Sequence, residues 1–308
     1  MRAARCNTGM SLPRPNISVV LCTRNRRDSL ARCLDSLARA ADRAGLSWEL
    51  VLVDNGSSDG TAELVAARQA AGDLPIGALA EARPGLARAR NRGIAAAQGA
   101  IIAFLDDDCL VPPDWLALLA GVFHTGTDID AIGGRVDLHD PSDWPTSIRP
   151  FPDGVQVVDL PTAFVRMIGC GFAARAAALR RVGPLDERLS AGTPAGSAED
   201  LDLFFRLLKR GCRLRYEPAV RLEHAHGRAR AEQLLPLYRN YLIGRGAFYA
   251  KHLLRGEPAI LRMAGREALD LARGGLVALA AAPSPPALSA WRQLGLLLLG
   301  GWLRLSGR

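Results

Sequence analysis

Three carboxylates stand in a row in "AFLDDDCLVPPDWL", residues 103–116, at the end of an apolar run. Adjacent like charges repel by about 1 kcal/mol in water and by several times that near a protein surface. Asp106, Asp107 and Asp108 therefore ask for a positive partner. Alternate residues of an extended strand share a face, so the pattern predicts that Asp106 and Asp108 converge while Asp107 points away. Two hard oxygen donors at a buried strand end suit Mg2+ or Mn2+, which keep several waters and are commonly shared with substrate phosphates. An acidic turn before a helix opened by Pro112-Pro113 accounts for Asp108 but not for all three.

Other polar residues also sit where apolar runs end. Asp54 follows "LVLV" and can accept a hydrogen bond from a base N–H. Thr23 and Arg24 follow "ISVVLC" and can meet a base or phosphates, and Arg83 precedes a helical stretch whose N-terminus favours an anion. Together they fit a nucleoside diphosphate lying over a cation. Glu199-Asp200 opens a helix after the Gly-rich "LSAGTPAGSA", and either carboxylate can deprotonate an incoming hydroxyl. The same placement also serves plain helix N-terminal electrostatics. His224 and His226, two residues apart, can complete a metal shell or form an ordinary surface pair.

These groups need a frame that gathers strand ends. "ISVVLC" (17–22) and "WELVLVD" (48–54) read as strands, and residues 28–43 between them place Leu30, Cys33, Leu34 and Leu37 at helical spacing. The alternation continues: a helix capped by Ser58, a weaker strand at 76–81, a helix closed by Gly99, and the buried strand "AIIAFL". This predicts an α/β fold, a mostly parallel central sheet with helices on both faces and binding groups at the carboxyl ends of strands. Residues 139–160, with four prolines, predict a long loop over the site. "EDLDLFFRLLKRG" predicts a helix, "RLRYEP" and "VRLEH" edge strands, and residues 229–254 and 258–273 helices. Leu234, Tyr238, Tyr241, Phe248 and Leu253 form a stripe expected to pack in the core.

The 308 residues, 49% of them hydrophobic, suffice for one large core. The expected organisation is a disordered tail at 1–15, a catalytic unit at 16–226 and a basic helical extension at 227–308. Met10 is an equally good start, and the six cysteines lack a CxxC pair and a preceding secretory signal, which reads as reduced thiols in a cytoplasm. Residues 225–308 hold eleven Arg and one Lys against four carboxylates, so the whole net charge of +8 lies there. That asymmetry asks for an anionic partner. No apolar run reaches the ~18 residues that span a bilayer. "LGLLLLGGWL" (294–303), flanked by Arg292 and Arg304, suits either a segment lying on an anionic membrane surface or a helix packed on the main unit.

The stretches "ISVVLCTRNRRDSLARCLDSL", "ELVLVDNGSSDGT", "RPGLARARNRGIAAAQGAIIAFLDDDCLVPPDWL", "GCGFAARAAALRRVGPLDERLSAGT" and "AEDLDLFFRLLKRGCRLRYEPAVRLEH" together resemble the family 2 glycosyltransferases with the A-type nucleotide-diphospho-sugar transferase fold. The resemblance covers about residues 17–226. It implies inverting, metal-dependent transfer of a sugar from a nucleotide donor, a UDP-sugar first, to a hydroxyl acceptor in polysaccharide or glycolipid assembly, with no nucleic acid involved. Asp54 then recognises the base, Asp106 and Asp108 hold ribose, Mg2+ or Mn2+ and diphosphate, Asp200 is the base, His224 stands near the metal, and Gly169 to Phe172, with Gly171, meets acceptor or donor sugar. The third aspartate departs from the pattern and leaves Asp107 as a ligand in place of either neighbour.

Rival readings lack their motifs. A nucleotidyltransferase needs a Gly-rich, lysine-bearing loop, absent from "CTRNRRDSL". An aspartyl-phosphate phosphatase places Asp-x-Asp after its first strand with a small residue where Leu110 stands. A Rossmann oxidoreductase needs G-x-G-x-x-G after a strand. A catalytically silent membrane-surface or glycan-binding module is the non-enzyme alternative.

Overall fold

The computed structural model describes residues 16–272 and 290–306; the expected tail at 1–15 and most of "GGLVALAAAPSPPALSAW" lie outside the described residues. Strand β1 (Ile17–Thr23) is buried along its whole length. Helix α1 (Arg27–Ala44) follows, with Leu30, Cys33, Leu34 and Leu37 wholly buried, and stops at Gly45, whose φ of 55° is left-handed. Strand β2 (Trp48–Asp54), helix α2 (Thr61–Ala71), strand β3 (Ile76–Ala80), helix α3 (Leu86–Ala96) and strand β4 (Ile101–Asp106) complete the regular part. Two boundaries differ from expectation. Asp59, not Ser58, satisfies the start of α2 by accepting from Thr61 N and Oγ1, because the helix starts only at Thr61, with Gly60 at its N-cap position. Helix α3 ends before Gly99, which instead lies against β1, where a Cβ would stand 2.6 Å from Ser18 N.

Beyond β4 the elements shorten: β5 (Cys109–Leu110), α4 (Trp115–Thr125), β6 (Ala131–Leu138), β7 (Gln156–Val158), α5 (Leu160–Arg166), β8 (Phe172–Arg175), α6 (Ala176–Val182) and α7 (Glu199–Lys209). Helix α4 begins after Pro112-Pro113 rather than on it. The sheet runs β3-β2-β1-β4-β8-β6 and then β9 (Leu214–His224) and β5, with β7 also on β9. Six of the nine strands point the same way, and β5, β7 and β8 run against them. In register, Thr23 lies beside Asp54, and Cys22 beside Asp106. The polar ends of β1, β2 and β4 therefore meet at one edge, where open α/β sheets bind ligands.

The two expected edge strands are one strand, β9, and it is interior, flanked by β6 on one side and β5 and β7 on the other. Pro218 has no N–H to donate and reads as an edge residue. It is tolerated because β9 bulges there: adjacent Gly134 and Arg135 of β6 pair with Glu217 and Arg221, leaving residues 218–220 out of the ladder.

The helices cover both faces, over two separate apolar cores. Helix α8 (Leu234–Leu253) belongs to the first: Phe248 meets Phe164 and Phe205 edge-on, with centroids at 5.5 and 5.8 Å. Of the expected stripe, Leu234, Tyr238 and Phe248 are buried, Tyr241 lines the cavity described below, and Leu253 is 38% exposed. Helices α9 (Pro258–Ala272) and α10 (Ala290–Leu305) follow. Helix α10, which contains "LGLLLLGGWL", packs on α8 with backbones touching: a Cβ on Gly300 would stand 1.9 Å from Ile243 O, and one on Gly246 1.9 Å from Leu297 O. Asp186 binds both Lys251 of α8 and Arg304 of α10 at 3.0 Å.

Candidate active site

A cavity of about 470 Å3 opens over the carboxyl ends of β1 and β4. Strand β4 stops at Asp106, and Asp107 and Asp108 turn, so strand alternation does not apply to them. All three line the cavity, and Asp107 does not point away. Their positive partners come from the chain itself. Asp106 Oδ1 accepts from Arg90 Nη2 at 2.8 Å. Arg26 Nη1 donates to Asp107 Oδ1 at 2.9 Å and to Asp108 Oδ2 at 2.6 Å, and Thr23 Oγ1 donates to Asp107 at 2.7 Å.

Each environment sets a charge state. Burial pushes Asp107 up to about 6, against the pull of Arg26 and with the push of Asp108. Burial would raise Asp108 too, but the His224 hydrogen bond and charge and the Arg26 guanidinium hold it well below the usual carboxylate range. His224 Nε2 reaches Asp108 Oδ1 at 3.1 Å and its Nδ1 reaches Ser147 O at 2.9 Å. Both partners are acceptors, so the ring donates twice only as imidazolium. Burial opposes that charge, yet Asp108 outweighs it and His224 rises to about 9. His226 stacks edge-on against His224 at 5.1 Å; burial and that neighbouring charge lower it to about 4.

Helix α7 places Glu199 and Asp200 at its N-terminus. Glu199 is 2% exposed and accepts from Arg90 at 3.4 Å and Ser197 at 3.1 Å. Burial, then the neighbouring Asp200, push it up to about 7. Asp200 is half-buried, and its Oδ1 accepts from Leu201 N at 2.8 Å.

The cavity thus gathers Thr23, Arg24, Asp106, Asp107, Asp108, Gly169, Glu199, Asp200 and His224 from the expected set. Of the residues expected to act, Asp54, Arg83, Gly171 and His226 stand outside its lining. Asp54 stands beside it, accepting from Ser57 N at 2.9 Å, and its neighbour Asn55 lines the cavity instead, bridging Glu81, Arg83 and Gly85 backbone atoms. Arg83 is turned to solvent and pairs with Glu81 at 3.2 Å. Gly171 faces the core, where a Cβ would lie 2.9 Å from a Val136 methyl, whereas Gly169 lies under the Arg90 guanidinium, 3.0 Å from where its own Cβ would be. The loop at 139–160 contributes Ser147 and Arg149, although its end forms β7.

Sequence reading missed Arg26, Arg90, Arg149, Arg245 and Tyr241 as lining residues. Arg90 carried a signal: it shares the buried face of α3 with Ala87 and Gly93, a core-facing phase that an arginine occupies only when paired.

Part of a donor set for a divalent cation is present. Among the described residues, donor atoms of Asp108, Cys109 and His224 lie within 4.8 Å of one another. Burial and a hydrogen bond with Cys170 keep the Cys109 thiol protonated, and a thiol is a poor donor to Mg2+ or Mn2+. The Asp108 carboxylate and the His224 imidazole remain of that cluster, and Asp106, outside it, lines the same cavity. To serve as a ligand, His224 would have to give up its Nε2 proton.

Residues 18–188, more than half of the chain, match the model of the family described as Glycosyl transferase family 2. The chain belongs to glycosyl transferase family 2. Glycosyltransferase AglE of Haloferax volcanii is 33% identical over 128 residues, 42% of this chain and 41% of that protein. The pre-mycofactocin glycosyltransferase of Mycobacterium tuberculosis is 29% identical over 232 residues, 68% of this chain and 43% of that one. The family 2 chain thus spans less than half the length of these curated relatives. Its fold is shared with the mannosyltransferase PcManGT from Pyrobaculum calidifontis, solved with GDP-Man and Mn2+, at a TM-score of 0.61 and 19% identity over 96% of this chain and 88% of that one. It is shared also with TarS 1-349 of S. aureus, solved with UDP-GlcNAc, at a TM-score of 0.56 and 18% identity over 74% and 66% of the two chains.

Proposed function

We propose that this chain transfers a sugar from a nucleoside-diphosphate donor to a hydroxyl acceptor, inverting the anomeric centre. The observation that carries this reading is the meeting of the three aspartates and Asp200 in one cavity at the carboxyl ends of the sheet. Thr23, Arg24 and Asn55, at the ends of β1 and β2, form the nucleotide side, with Asp54 beside them for the base. Asp106 and Asp108 with His224 hold Mg2+ or Mn2+, and the cation, when bound, supplies positive charge for the departing diphosphate. Arg26 and Arg90 fix the carboxylates in place. Asp200 takes the proton of the acceptor hydroxyl; Glu199, enclosed between Arg90 and Ser197, orients the start of α7 rather than reacting. The acceptor class fits glycan or lipid-linked assembly, with the enzyme resting on the anionic face of a membrane through its basic C-terminal quarter.

The test is thermal unfolding with UDP, GDP and dTDP, each with and without Mn2+. A ligand at ~100 times its dissociation constant adds roughly 2.7 kcal/mol to the folded state. One diphosphate should raise the midpoint only with metal, and Asp108→Ala should abolish the shift. If no diphosphate moves the midpoint in either condition, the reading fails and a silent binding module takes its place.

A further inference from the structure

Five arginines beside Arg24 line the cavity, and three of them are neutralised by the chain. Arg26 pairs with Asp107 and Asp108, Arg90 with Asp106 and Glu199, and Arg245 with Glu267. Arg149 is different. It is only 6% exposed, its Nη1 donates to the neighbouring Ile148 O at 2.7 Å, and its Nε has no hydrogen-bond partner. Buried guanidinium groups are ordinarily paired. Burial accordingly lowers the affinity of Arg149 for its proton. Its backbone is fixed on both sides, donating to Val136 O at 2.8 Å and accepting from Tyr216 Oη at 2.9 Å, so the side chain is held toward the cavity it lines. Arg228 repeats the pattern: it lines the same cavity, and its buried Nη1 is also without a partner. Ser147, two residues before Arg149, and Tyr241 line the same cavity with their hydroxyls 2.9 Å apart.

The position of this wall distinguishes it from the nucleotide side. Thr23 ends β1 and Asn55 follows β2, on one side of β4 in the sheet order; Arg149 pairs with β6 and Arg228 follows β9, both on the other side. Asp200 lines the cavity with them. Two unpaired guanidinium groups with hydroxyls nearby match a tetrahedral dianion, which accepts several charge-assisted hydrogen bonds at once.

We propose that Arg149 and Arg228 bind a phosphate group carried by the acceptor. This rests on the glycosyltransferase reading and narrows it, since the acceptor becomes a phosphate ester. The phosphate belongs either to a lipid headgroup or to a soluble phosphoester, and the two sources are separable.

The experiment is calorimetric titration of the full chain at fixed ionic strength, holding Mg2+ and whichever nucleoside diphosphate raises its unfolding midpoint. Inorganic phosphate, glycerol 3-phosphate and geranyl phosphate are the probes. Saturable phosphate binding on top of bound diphosphate is expected, weakened tenfold or more by Arg149→Met and by Arg228→Gln, with diphosphate affinity changed less than twofold. Geranyl phosphate binding at least tenfold tighter than glycerol 3-phosphate assigns the site to a lipid headgroup; equal or weaker binding assigns it to a soluble ester. Absence of saturable phosphate binding with diphosphate in place overturns the proposal, as does loss of diphosphate affinity in the variants, which would give these arginines to the donor. Should Arg149→Met fail to fold, the half-exposed Arg228 decides alone. If no diphosphate binds, the glycosyltransferase reading fails by itself, and phosphate titrated into the protein with and without the two substitutions still reports on this wall.

Discussion

Glu199 and Asp200 are chain neighbours in opposite surroundings, one enclosed and one facing the cavity. Asp200→Asn should therefore lower turnover by about two to four orders of magnitude, the range of a positioned base, while leaving nucleotide affinity within twofold. Steady-state kinetics beside equilibrium binding check the split. Glu199 makes a different statement. Its folded-state value is raised to about 7, above the unfolded value, so the native state holds a proton that the unfolded chain releases. Its contribution to stability is full below pH ~4.5 and is lost as pH rises through about 7. Glu199→Gln should flatten that part of the stability profile and stabilise the protein at pH 8 relative to wild type, read by chemical denaturation across pH. The three aspartates and the two α7 carboxylates were legible because charge rarely ends an apolar run or opens a helix without reason. Arg149 was not, since an isolated arginine in the Pro-rich "SIRPF" carries no periodicity to say it is buried.

At the scale of elements, the strand-helix alternation through β4 was legible because each element repeats one apolar period long enough to recognise. What followed was harder for a definite reason. Strand β9 contains a proline because residues 218–220 bulge out of the pairing with β6, and in the sequence such a bulge inside one strand looks the same as a break between two. Helix α8 misled in another way: an aromatic stripe says that a face is covered, not whether it borders a core or a cavity, and Tyr241 lines the cavity. The junction of α8 and α10 offers a direct test. Gly300→Ala puts a methyl group into Ile243 O and should force the helices apart. Overpacking of this kind costs about 1–3 kcal/mol, a drop of roughly 2–4 °C in the unfolding midpoint per kcal/mol for a chain of this size. Hydrogen exchange should quicken in α8 and α10 and stay unchanged in β1 and β4.

For the molecule as a whole, charge and apolar exposure coincide. Leu254, Leu261, Leu298, Trp302 and Leu305 are 53–70% exposed, in the same quarter of the chain as the exposed Arg255, Arg262, Arg266 and Arg292. Among the described residues no helix is long and apolar enough to cross a membrane. Helix α10 packs on α8, and on the proposed membrane contact each arginine near an anionic surface would add about 1 kcal/mol. Flotation with anionic vesicles should carry the protein, neutral vesicles should not, and Leu298→Gln with Leu305→Gln should reduce the floated fraction several-fold. Equal flotation of the double variant would remove α10 from the contact.

The interior position of β9 bears also on how the protein is made. Strand β5 pairs with β9 alone, and His224 closes on Asp108 across 116 residues of chain. At synthesis rates of about 5–20 residues per second, the aspartates leave the ribosome roughly 6–23 s before the strand that completes their surroundings. During that interval β6 presents an open edge, the kind of surface on which nascent chains pair wrongly. Expression yield should therefore respond more to chaperone supply during synthesis than to the stability of the finished fold.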